Sequence, residues 1–271
     1  MKSFKFDSSG RTLVCGILNI TPDSFSDGGM WDEPQKALLR ACQMQTQGAD
    51  IIDVGAQSTR PGAQLLSAEE ESKRLLPVLK LLREKITVPI SVDTFHPECA
   101  SLALENGASI INDVSGKVEN SMAEVIRKCG AGWIIMHNPG GADKVCTYSP
   151  GVIKAVGEFF ENAAQRAETF GIPRESLCFD IGIGFSKSYE DNLRLIKNIG
   201  ATRVEGAALM SAVSRKRVIG EASGEREASK RDPGTVAAHT ASILAGADII
   251  RVHDVLSAVQ AARVADAIKR V

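Results

Sequence analysis

The sequence predicts an α/β fold in which eight parallel strands close into a (β/α)8 barrel, the TIM barrel. Short runs of apolar and β-branched residues alternate with longer helical segments along the whole chain. The runs are apolar throughout, which is typical of parallel strands that are covered on both faces. The length of 271 residues is a little above the roughly 250 residues of one such barrel. We therefore expect one domain over residues 1–271, since no Ser/Gly-rich linker divides the sequence.

The predicted strands are spaced evenly and bounded by turn-forming residues. In chain order they are Thr12–Ile20, Ile51–Val54, Pro89–Val92, Ser109–Asn112, Trp133–Met136, Leu177–Phe179, Ala208–Ala212 and Ile249–Val252. Eight strands that alternate with helices favour a closed barrel over an open sheet.

Amphipathic or Ala/Leu/Glu-rich segments fill the intervals and are predicted as helices. They are Pro34–Gln47, Ala68–Lys85, Pro97–Asn106, Met122–Cys129, Val152–Phe170, Glu190–Ile199, Thr235–Leu244 and Leu256–Lys269. Gly48, Gly107 and Gly246 stand just before strands, where a glycine can end the preceding helix in a left-handed conformation. The charged segment Gly220–Arg231 is predicted as a long loop after the seventh strand.

Charge and composition exclude several classes of partner. The net charge is −1, from 32 basic and 33 acidic residues, so we expect neither nucleic acid nor an anionic membrane as a partner. The polar start Met1–Arg11 lacks an apolar signal-peptide core, and no run reaches the roughly 18 apolar residues of a membrane span. Six cysteines without a CxxC pair indicate reduced thiols. We predict a soluble cytoplasmic protein.

Polar residues follow almost every predicted strand, at the end where barrels of this class carry their chemistry. A single Asp or Asn at such a position often caps the next helix. Here, however, carboxylates, amides, cations and histidines converge on one mouth, and desolvating so many polar groups is costly unless a ligand contacts them. The sequence therefore favours a polar ligand site. Its members are Asn19, Asp53, Asp93, Asn112, Asp113, His137, Asn138, Asp180, Ser214, Arg215, Lys216, Arg251, His253 and Asp254.

These groups divide by chemistry into two sets. Asp93, Asn112 and Asp180 could hydrogen-bond a flat heterocycle that carries amide and amino groups, because a carboxylate accepts two parallel N–H bonds from a guanidine-like edge. A second set could face an anion, and Lys216 could serve either set. The second set is Asn19, Arg60, Arg251 and His253.

Seven ordered motifs resemble those of the dihydropteroate synthases and cover nearly the whole chain. They are GILNITPDSFSDGG at residues 16–29, IDVG with STRPG within 52–62, SVDT at 91–94, INDVSG at 111–116, the segment Asp180–Lys187, SRK at 214–216 and RVHDV at 251–255. One such motif would be weak support, whereas the ordered set is specific.

The resemblance implies that p-aminobenzoate displaces diphosphate from (7,8-dihydropterin-6-yl)methyl diphosphate to give 7,8-dihydropteroate. It implies pterin binding by Asp93, Asn112, Asp180 and Lys216. Diphosphate binding falls to Asn19, Arg60, Arg251 and His253, with Asn19 as a ligand of the cofactor Mg²⁺. The p-aminobenzoate pocket would comprise Thr59, Pro61, Phe185 and Ser214. The catalytic residues would be Asp93, Asp180, Lys216 and Arg251, and a homodimer is usual in the family.

Three segments depart from the family pattern. Ala56-Gln57 replaces the usual Gly-Glu, and Asp180–Lys187 reads DIGIGFSK where the family has DPGIGFGK. After the fifth strand the chain reads Met136-His137-Asn138-Pro139-Gly140-Gly141 instead of continuing into a Thr-Pro segment. None of these changes removes a residue assigned to substrate, but the third alters a loop beside the predicted pterin pocket.

Three other functions are compatible with parts of this pattern. A synthase-like paralogue would bind pterin without turnover. A folate-dependent methyltransferase domain shares the barrel and the pterin-binding residues, but it needs neither a diphosphate site nor the loop Thr21–Gly29. A Schiff-base aldolase requires a desolvated lysine at a strand end, and Lys216 occupies such a position, but its neighbour Arg215 and the nearby carboxylates fit anion or pterin binding better.

Overall fold

Eight parallel strands form one closed barrel, hydrogen-bonded in chain order from β1 to β8 and from β8 back to β1. The structure is a computed structural model that describes residues 3–7, 10–20, 33–57, 65–142 and 144–271. All eight predicted strands are confirmed to within one residue at each end. They are β1 Leu13–Asn19, β2 Ile51–Gly55, β3 Ile90–Asp93, β4 Ile110–Asp113, β5 Gly132–Met136, β6 Leu177–Asp180, β7 Ala208–Ser211 and β8 Ile249–Val252.

The helices pack around the outside of the barrel. They are α1 Glu33–Gln47, α2 Ala68–Lys85, α3 Pro97–Glu105, α4 Asn120–Cys129, α5 Val152–Thr169, α6 Tyr189–Lys197, α7 Arg217–Ser223, α8 Asp232–Leu244 and α9 Val255–Lys269. The eight predicted helices are confirmed. Within the described ranges, none of the helices has the length and apolar character that crossing a membrane requires.

The prediction of a long loop at Gly220–Arg231 was wrong for its first four residues. Its first residues belong to α7, and Ala228–Lys230 form a 3-10 turn. Val218 and Ile219 are buried where α7 packs beside α6 and α8, and this burial stabilises the short helix despite its polar composition. The Arg231 side chain then donates to three backbone carbonyls, including that of Arg215 at 3.0 Å. These bonds fold the charged segment back onto the barrel.

Alternation along the strands places a polar layer directly above an apolar one inside the barrel. The apolar layer includes Cys15, Ile51, Ile110, Ile134, Cys178 and Ile249. Successive side chains of a strand point to opposite faces, so the residue two positions further along points inward again. On β2, β4, β6 and β8 that residue is Asp53, Asn112, Asp180 and Arg251, respectively.

The N-terminal segment closes the opposite end of the barrel. The rings of Phe4 and Phe6 pack edge to face, 5.1 Å apart, against the apolar layer. Backbone bonds from Phe4 N to Gly130 O (2.8 Å) and from Phe6 N to Glu175 O (2.9 Å) hold the segment there. A side chain at Gly132 would lie only 2.6 Å from the Phe4 ring, so this close packing requires glycine at that position. The polar layer therefore rests on a filled apolar base.

Candidate active site

A buried ion-pair network joins four strands across the polar layer. The Arg251 guanidinium donates from Nε to Asp53 Oδ2 at 2.7 Å and from Nη2 to Asp93 Oδ2 at 3.0 Å. Asn112 Nδ2 donates to the same Asp53 oxygen at 3.0 Å. The two carboxylates raise the pKa of Arg251 further above its usual value despite burial. The network holds one cation between the two carboxylates, with an amide beside them.

Burial dominates the electrostatics of the acids in this layer. It raises the pKa of Asp93 to about 7, against the opposing effect of Arg251, and repulsion from Asp53 adds to the increase. Burial also raises the pKa of Asp180, which Lys216 opposes. Asp180 Oδ1 accepts a bond from Gly182 N at 2.9 Å. The pKa values of both acids therefore lie above those of surface carboxylates.

Lys216 lies across the mouth from this network, on the loop that follows β7. Its Nζ donates to the Ile183 carbonyl at 2.6 Å and lies 5.0 Å from the centre of the half-buried Phe185 ring. Burial lowers the pKa of Lys216 to about 8, while attraction from Asp180 acts in the opposite direction. This amine is a cation at neutral pH that can donate to a ligand acceptor.

The preceding residue fixes the turn that presents Lys216. Arg215 has a positive φ of 58°, a left-handed conformation that is uncommon for a residue with a side chain. Its guanidinium makes a bidentate pair with Asp232, at 2.7 and 2.6 Å, and its backbone N–H donates to Thr235 Oγ1 at 3.0 Å. Both partners belong to α8. Arg215 thus anchors the loop to the helix outside the site and leaves Lys216 at the mouth.

Ser214 and His253 form a hydrogen-bonded pair between the ends of β7 and β8. Ser214 Oγ lies 3.0 Å from His253 Nδ1 and accepts from the His253 backbone N–H at 3.2 Å. Arg40 on α1 donates to the His253 carbonyl at 3.0 Å. The Ser214 hydroxyl thus orients the His253 imidazole. The sequence assigned Ser214 to the p-aminobenzoate pocket.

Asn19 ends β1, and its amide lies beside Gly55 at the end of β2. A Cβ built at Gly55 would stand 3.7 Å from Asn19 Oδ1 and 3.5 Å from Asp93 Cβ. Gly55 therefore leaves space between the Asn19 amide and the Asp93 side chain. The sequence assigned Asn19 to the diphosphate half of the site and Asp93 to the pterin half.

Lys187, which the sequence analysis did not single out, organises the loop after β6. Its buried Nζ donates to the carbonyls of His137 (3.2 Å), Gly182 (2.9 Å) and Phe185 (3.0 Å). Burial lowers the pKa of this amine to about 7. Gly182 has a φ of +63°, and a Cβ there would lie 2.1 Å from the His137 carbonyl oxygen. The loop therefore packs directly on the end of β5.

The segment after Met136 that departs from the family pattern is tied to its neighbours. Asn138 donates to the Val114 carbonyl at 2.8 Å and accepts from Gly141 N at 2.7 Å. Ser186, where the family has glycine, donates from Oγ to the Gly141 carbonyl at 2.7 Å. Two of the departures from the family pattern thus contact one another and join the loops after β5 and β6.

The structure brings nine of the predicted site residues to one end of the barrel. These are Asn19, Asp93, Asn112, Asp180, Phe185, Ser214, Lys216, Arg251 and His253. Thr59, Arg60 and Pro61 lie outside the described residues. The sequence analysis placed Asp53 at a strand end but gave it no role. Its position two residues after the inward Ile51 is the signal that would have placed it in the network.

Known proteins resemble this chain in sequence and in fold. The family model described as "Pterin binding enzyme" matches residues 15–253. The dihydropteroate synthase of Synechocystis is 40% identical over 98% of this chain and 93% of its own length. A crystal structure of dihydropteroate synthase from Clostridium difficile, determined in the presence of pteroic acid, superposes with a TM-score of 0.91 at 40% identity. That match covers 98% of this chain and all of the other.

A plant relative is longer than this chain. The mitochondrial folate synthesis bifunctional protein of Arabidopsis thaliana is 45% identical over 98% of this chain, which spans 51% of the plant protein. The chain thus spans about half the length of this curated relative. The family match, the identity to full-length synthases and the common fold lead to one conclusion: the chain belongs to the dihydropteroate synthase family of pterin-binding enzymes.

Proposed function

We propose that this protein catalyses the condensation of (7,8-dihydropterin-6-yl)methyl diphosphate with p-aminobenzoate to give 7,8-dihydropteroate and diphosphate. The observation that carries the proposal is the network in which Arg251 bridges Asp53 and Asp93 beside Asn112. In this network Arg251, a cation that suits a phosphate group, is hydrogen-bonded to Asp93, a carboxylate that suits a pterin. Membership of the dihydropteroate synthase family supports the same activity.

The pterin half of the site presents acceptors on one side and a cation on the other. Asp180 Oδ1 accepts from Gly182 N, and because each carboxylate oxygen can accept more than one hydrogen bond, the two oxygens together suit the amino and N3–H edge of the pterin. The Lys216 ammonium suits the O4 and N5 acceptors. Asp93 and Asn112 lie side by side in the β3–β4 register and suit the remaining edge, which carries N8–H.

Arg251 and His253 suit the diphosphate, since a guanidinium and a hydrogen-bonded imidazole both donate to phosphate oxygens. Among the described residues no group of three or more His, Cys, Asp or Glu could hold a metal ion, and Asn19 supplies a single amide oxygen. Mg²⁺ commonly binds through few protein ligands, several waters and substrate phosphates, so Asn19 fits an ion that the diphosphate also holds. When bound, the ion would neutralise charge on the leaving group.

The chemistry requires positioning and charge stabilisation more than proton transfer. The bond between the pterin methylene carbon and the diphosphate oxygen breaks, and its electron pair leaves with the diphosphate. Arg251 stabilises that negative charge, while Asp93 and Asp180 stabilise the cationic pterin methylene. The amine nitrogen of p-aminobenzoate then forms the new C–N bond and loses a proton. We propose a dissociative displacement without a covalent enzyme intermediate, and a trapped pterin–enzyme adduct would contradict it.

The p-aminobenzoate pocket is proposed to involve Thr59, Pro61, Phe185 and Ser214. Arg60 is proposed for the diphosphate. The half-buried Phe185 ring beside Lys216 supports this placement, because an aromatic face suits a benzoate ring.

The decisive experiment follows dihydropteroate and diphosphate together in a mixture of protein, Mg²⁺ and the two substrates. We expect both products in equal amounts, and loss of both in the Asp93→Asn and Arg251→Ala variants. Chelation of Mg²⁺ should abolish turnover, and added Mg²⁺ should restore it. Pterin binding without product would identify a non-catalytic paralogue and contradict the proposal.

We also propose that the protein is a homodimer in a reducing compartment such as the cytoplasm. Exposed apolar side chains on α8 and α9, at Leu244, Val264 and Ile268, support self-association, and six free cysteines fit reducing conditions. Sedimentation at micromolar concentration should give a mass of two chains, and the Val264→Glu variant should shift it to one.

A further inference from the structure

Asp53 is the most buried member of the polar layer, and nothing above assigns it a role in binding. It is fully buried on β2, and its Oδ2 accepts from both Asn112 Nδ2 and Arg251 Nε. Its Oδ1 has no hydrogen-bond partner among the described residues. A buried carboxylate needs cationic or N–H partners, and here those partners are two residues that the proposed function places against substrate.

The contact with Asp53 fixes which way the Asn112 amide points. An ionised carboxylate can only accept hydrogen bonds, so Asn112 must turn its NH₂ group toward Asp53. The Asn112 carbonyl oxygen then faces away from Asp53, and this oxygen, Oδ1, is buried with no partner among the described residues. An unsatisfied acceptor is therefore buried beside the position that the proposed function assigns to the N8 edge of the pterin.

Because Asn112 Oδ1 is a hydrogen-bond acceptor, it distinguishes two oxidation states of the ligand. A 7,8-dihydropterin carries a hydrogen on N8 and can donate to Asn112 Oδ1. A fully oxidised pterin has a lone pair on N8, which would face the amide oxygen as acceptor against acceptor. Sites built to pair with a substrate N–H discriminate strongly against an analogue that lacks it.

We propose that Asp53 is a positioning residue that makes the site selective for the reduced pterin by holding Asn112 with its oxygen toward the ligand. Asp53 also holds Arg251 Nε, so the same carboxylate fixes the amide for the pterin half and the guanidinium for the diphosphate half. The proposal rests on the proposed function, which supplies the ligand and its orientation.

The test compares the dissociation constants of (7,8-dihydropterin-6-yl)methyl diphosphate and its oxidised counterpart by calorimetry, with Mg²⁺ and without p-aminobenzoate. Both ligands carry the same diphosphate, so the ratio isolates the ring. We expect the wild type to prefer the reduced ligand by about tenfold or more. In Asp53→Asn the new amide can donate to Asn112 Oδ1 and let Asn112 flip, so the preference should fall at least about tenfold or reverse.

Ser91→Ala is the matched control. Ser91 pairs with Asp53 in the β2–β3 register, is fully buried and has an unpartnered hydroxyl, so its loss perturbs the same layer without touching Asn112. The ratio should stay at the wild-type value. A general structural defect would weaken both ligands equally and leave the ratio unchanged in either variant.

Two outcomes would overturn the inference. One is a wild-type preference below about threefold, which decides the matter even if Asp53→Asn does not fold. The other is an unchanged ratio in a folded Asp53→Asn protein. Turnover by the wild type together with either outcome would leave the proposed function intact, whereas failure of both pterins to bind would refute the proposed function itself.

Discussion

Arg251 Nη2 donates to Asp93 Oδ2 at 3.0 Å, so a group assigned to the diphosphate and a group assigned to the pterin are hydrogen-bonded to each other. A pterin that binds the same oxygen of Asp93 competes with this bond. A diphosphate compensates by offering Arg251 new acceptors, but a pterin alcohol does not.

The Arg251→Met variant should therefore affect the two ligands differently. Its affinity for the pterin methyl diphosphate should fall about 100-fold or more, since a charged hydrogen-bonding group is lost. Its affinity for the corresponding alcohol should change less than about threefold or improve. Equilibrium binding of both ligands to folded variant and wild type checks this. Equal losses for the two ligands would show that Arg251 supports the pterin pocket itself.

Activity should be highest in a narrow range of pH. Asp93 has a raised pKa of about 7 and Lys216 a lowered pKa of about 8. Below pH 7 Asp93 becomes neutral and can no longer stabilise a cationic methylene, and above pH 8 Lys216 loses the charge that binds the pterin acceptors. We expect kcat/KM for the pterin diphosphate to fall on both sides, because this parameter reports groups of the free enzyme.

The Lys216→Arg variant separates the two limbs. A guanidinium stays protonated at these pH values, so the alkaline fall should move upward while the acid fall remains in place. If the fall in kcat/KM at acid pH also moves in this variant, that fall belongs to a group coupled to residue 216 and not to Asp93.

The contact between Ser214 and His253 predicts that Ser214 affects both substrates. Since Ser214 Oγ lies 3.0 Å from His253 Nδ1, the Ser214→Ala variant should raise the KM for the pterin diphosphate about three- to tenfold, in addition to the rise in the KM for p-aminobenzoate that the proposed place of Ser214 in that pocket implies. Ser211→Ala is the control, because Ser211 contacts Ser242 outside the site. A rise in the p-aminobenzoate KM alone would show that the contact between Ser214 and His253 does not contribute to diphosphate binding.

Backbone conformation at Ser186 predicts an order of stabilities. Its φ is 56°, a conformation that glycine adopts without strain, and its hydroxyl bonds to the Gly141 carbonyl. Ser186→Ala keeps the strain and loses the bond, whereas Ser186→Gly loses the bond and relieves the strain. Urea denaturation should find the glycine variant about 1 kcal/mol more stable than the alanine variant. The reverse order would mean that the left-handed conformation is not retained.

The barrel was predictable because its signal is local. The strands are mostly apolar runs, and most of them carry a polar residue at or near the carboxyl end that the alternation of side chains points into the mouth, as with Ile249 and Arg251. The short α7 escaped prediction because only Val218 and Ile219 contribute apolar burial in an otherwise polar stretch. Its stability comes from tertiary contact with α6 and α8, which a sequence window does not contain.

The membership of the site was easier to predict than its connections. Strand ends placed Asp93, Asn112 and Arg251 at one mouth, but the shared bond to Asp53 depends on distances across the barrel that no sequence interval encodes. The same holds for Lys187, whose three carbonyl partners come from the end of β5 and the loop after β6. A lysine in a loop is usually solvated, so only the structure identifies Lys187 as a buried donor to loop carbonyls.

Phe4 and Phe6 close the barrel at the end opposite the site, so the site is a well that opens only at the mouth. With these rings beneath the apolar layer, substrates reach the polar layer from the mouth side, and products leave by the same route. Under the proposed function a pterin bound against Asp180 and Asn112 would lie at the bottom of that well, and p-aminobenzoate would enter above it. The joined product occupies both levels and must be released before another pterin can descend. Dihydropteroate should consequently inhibit by competing with the pterin diphosphate, and the rate of emptying the well sets an upper limit on turnover.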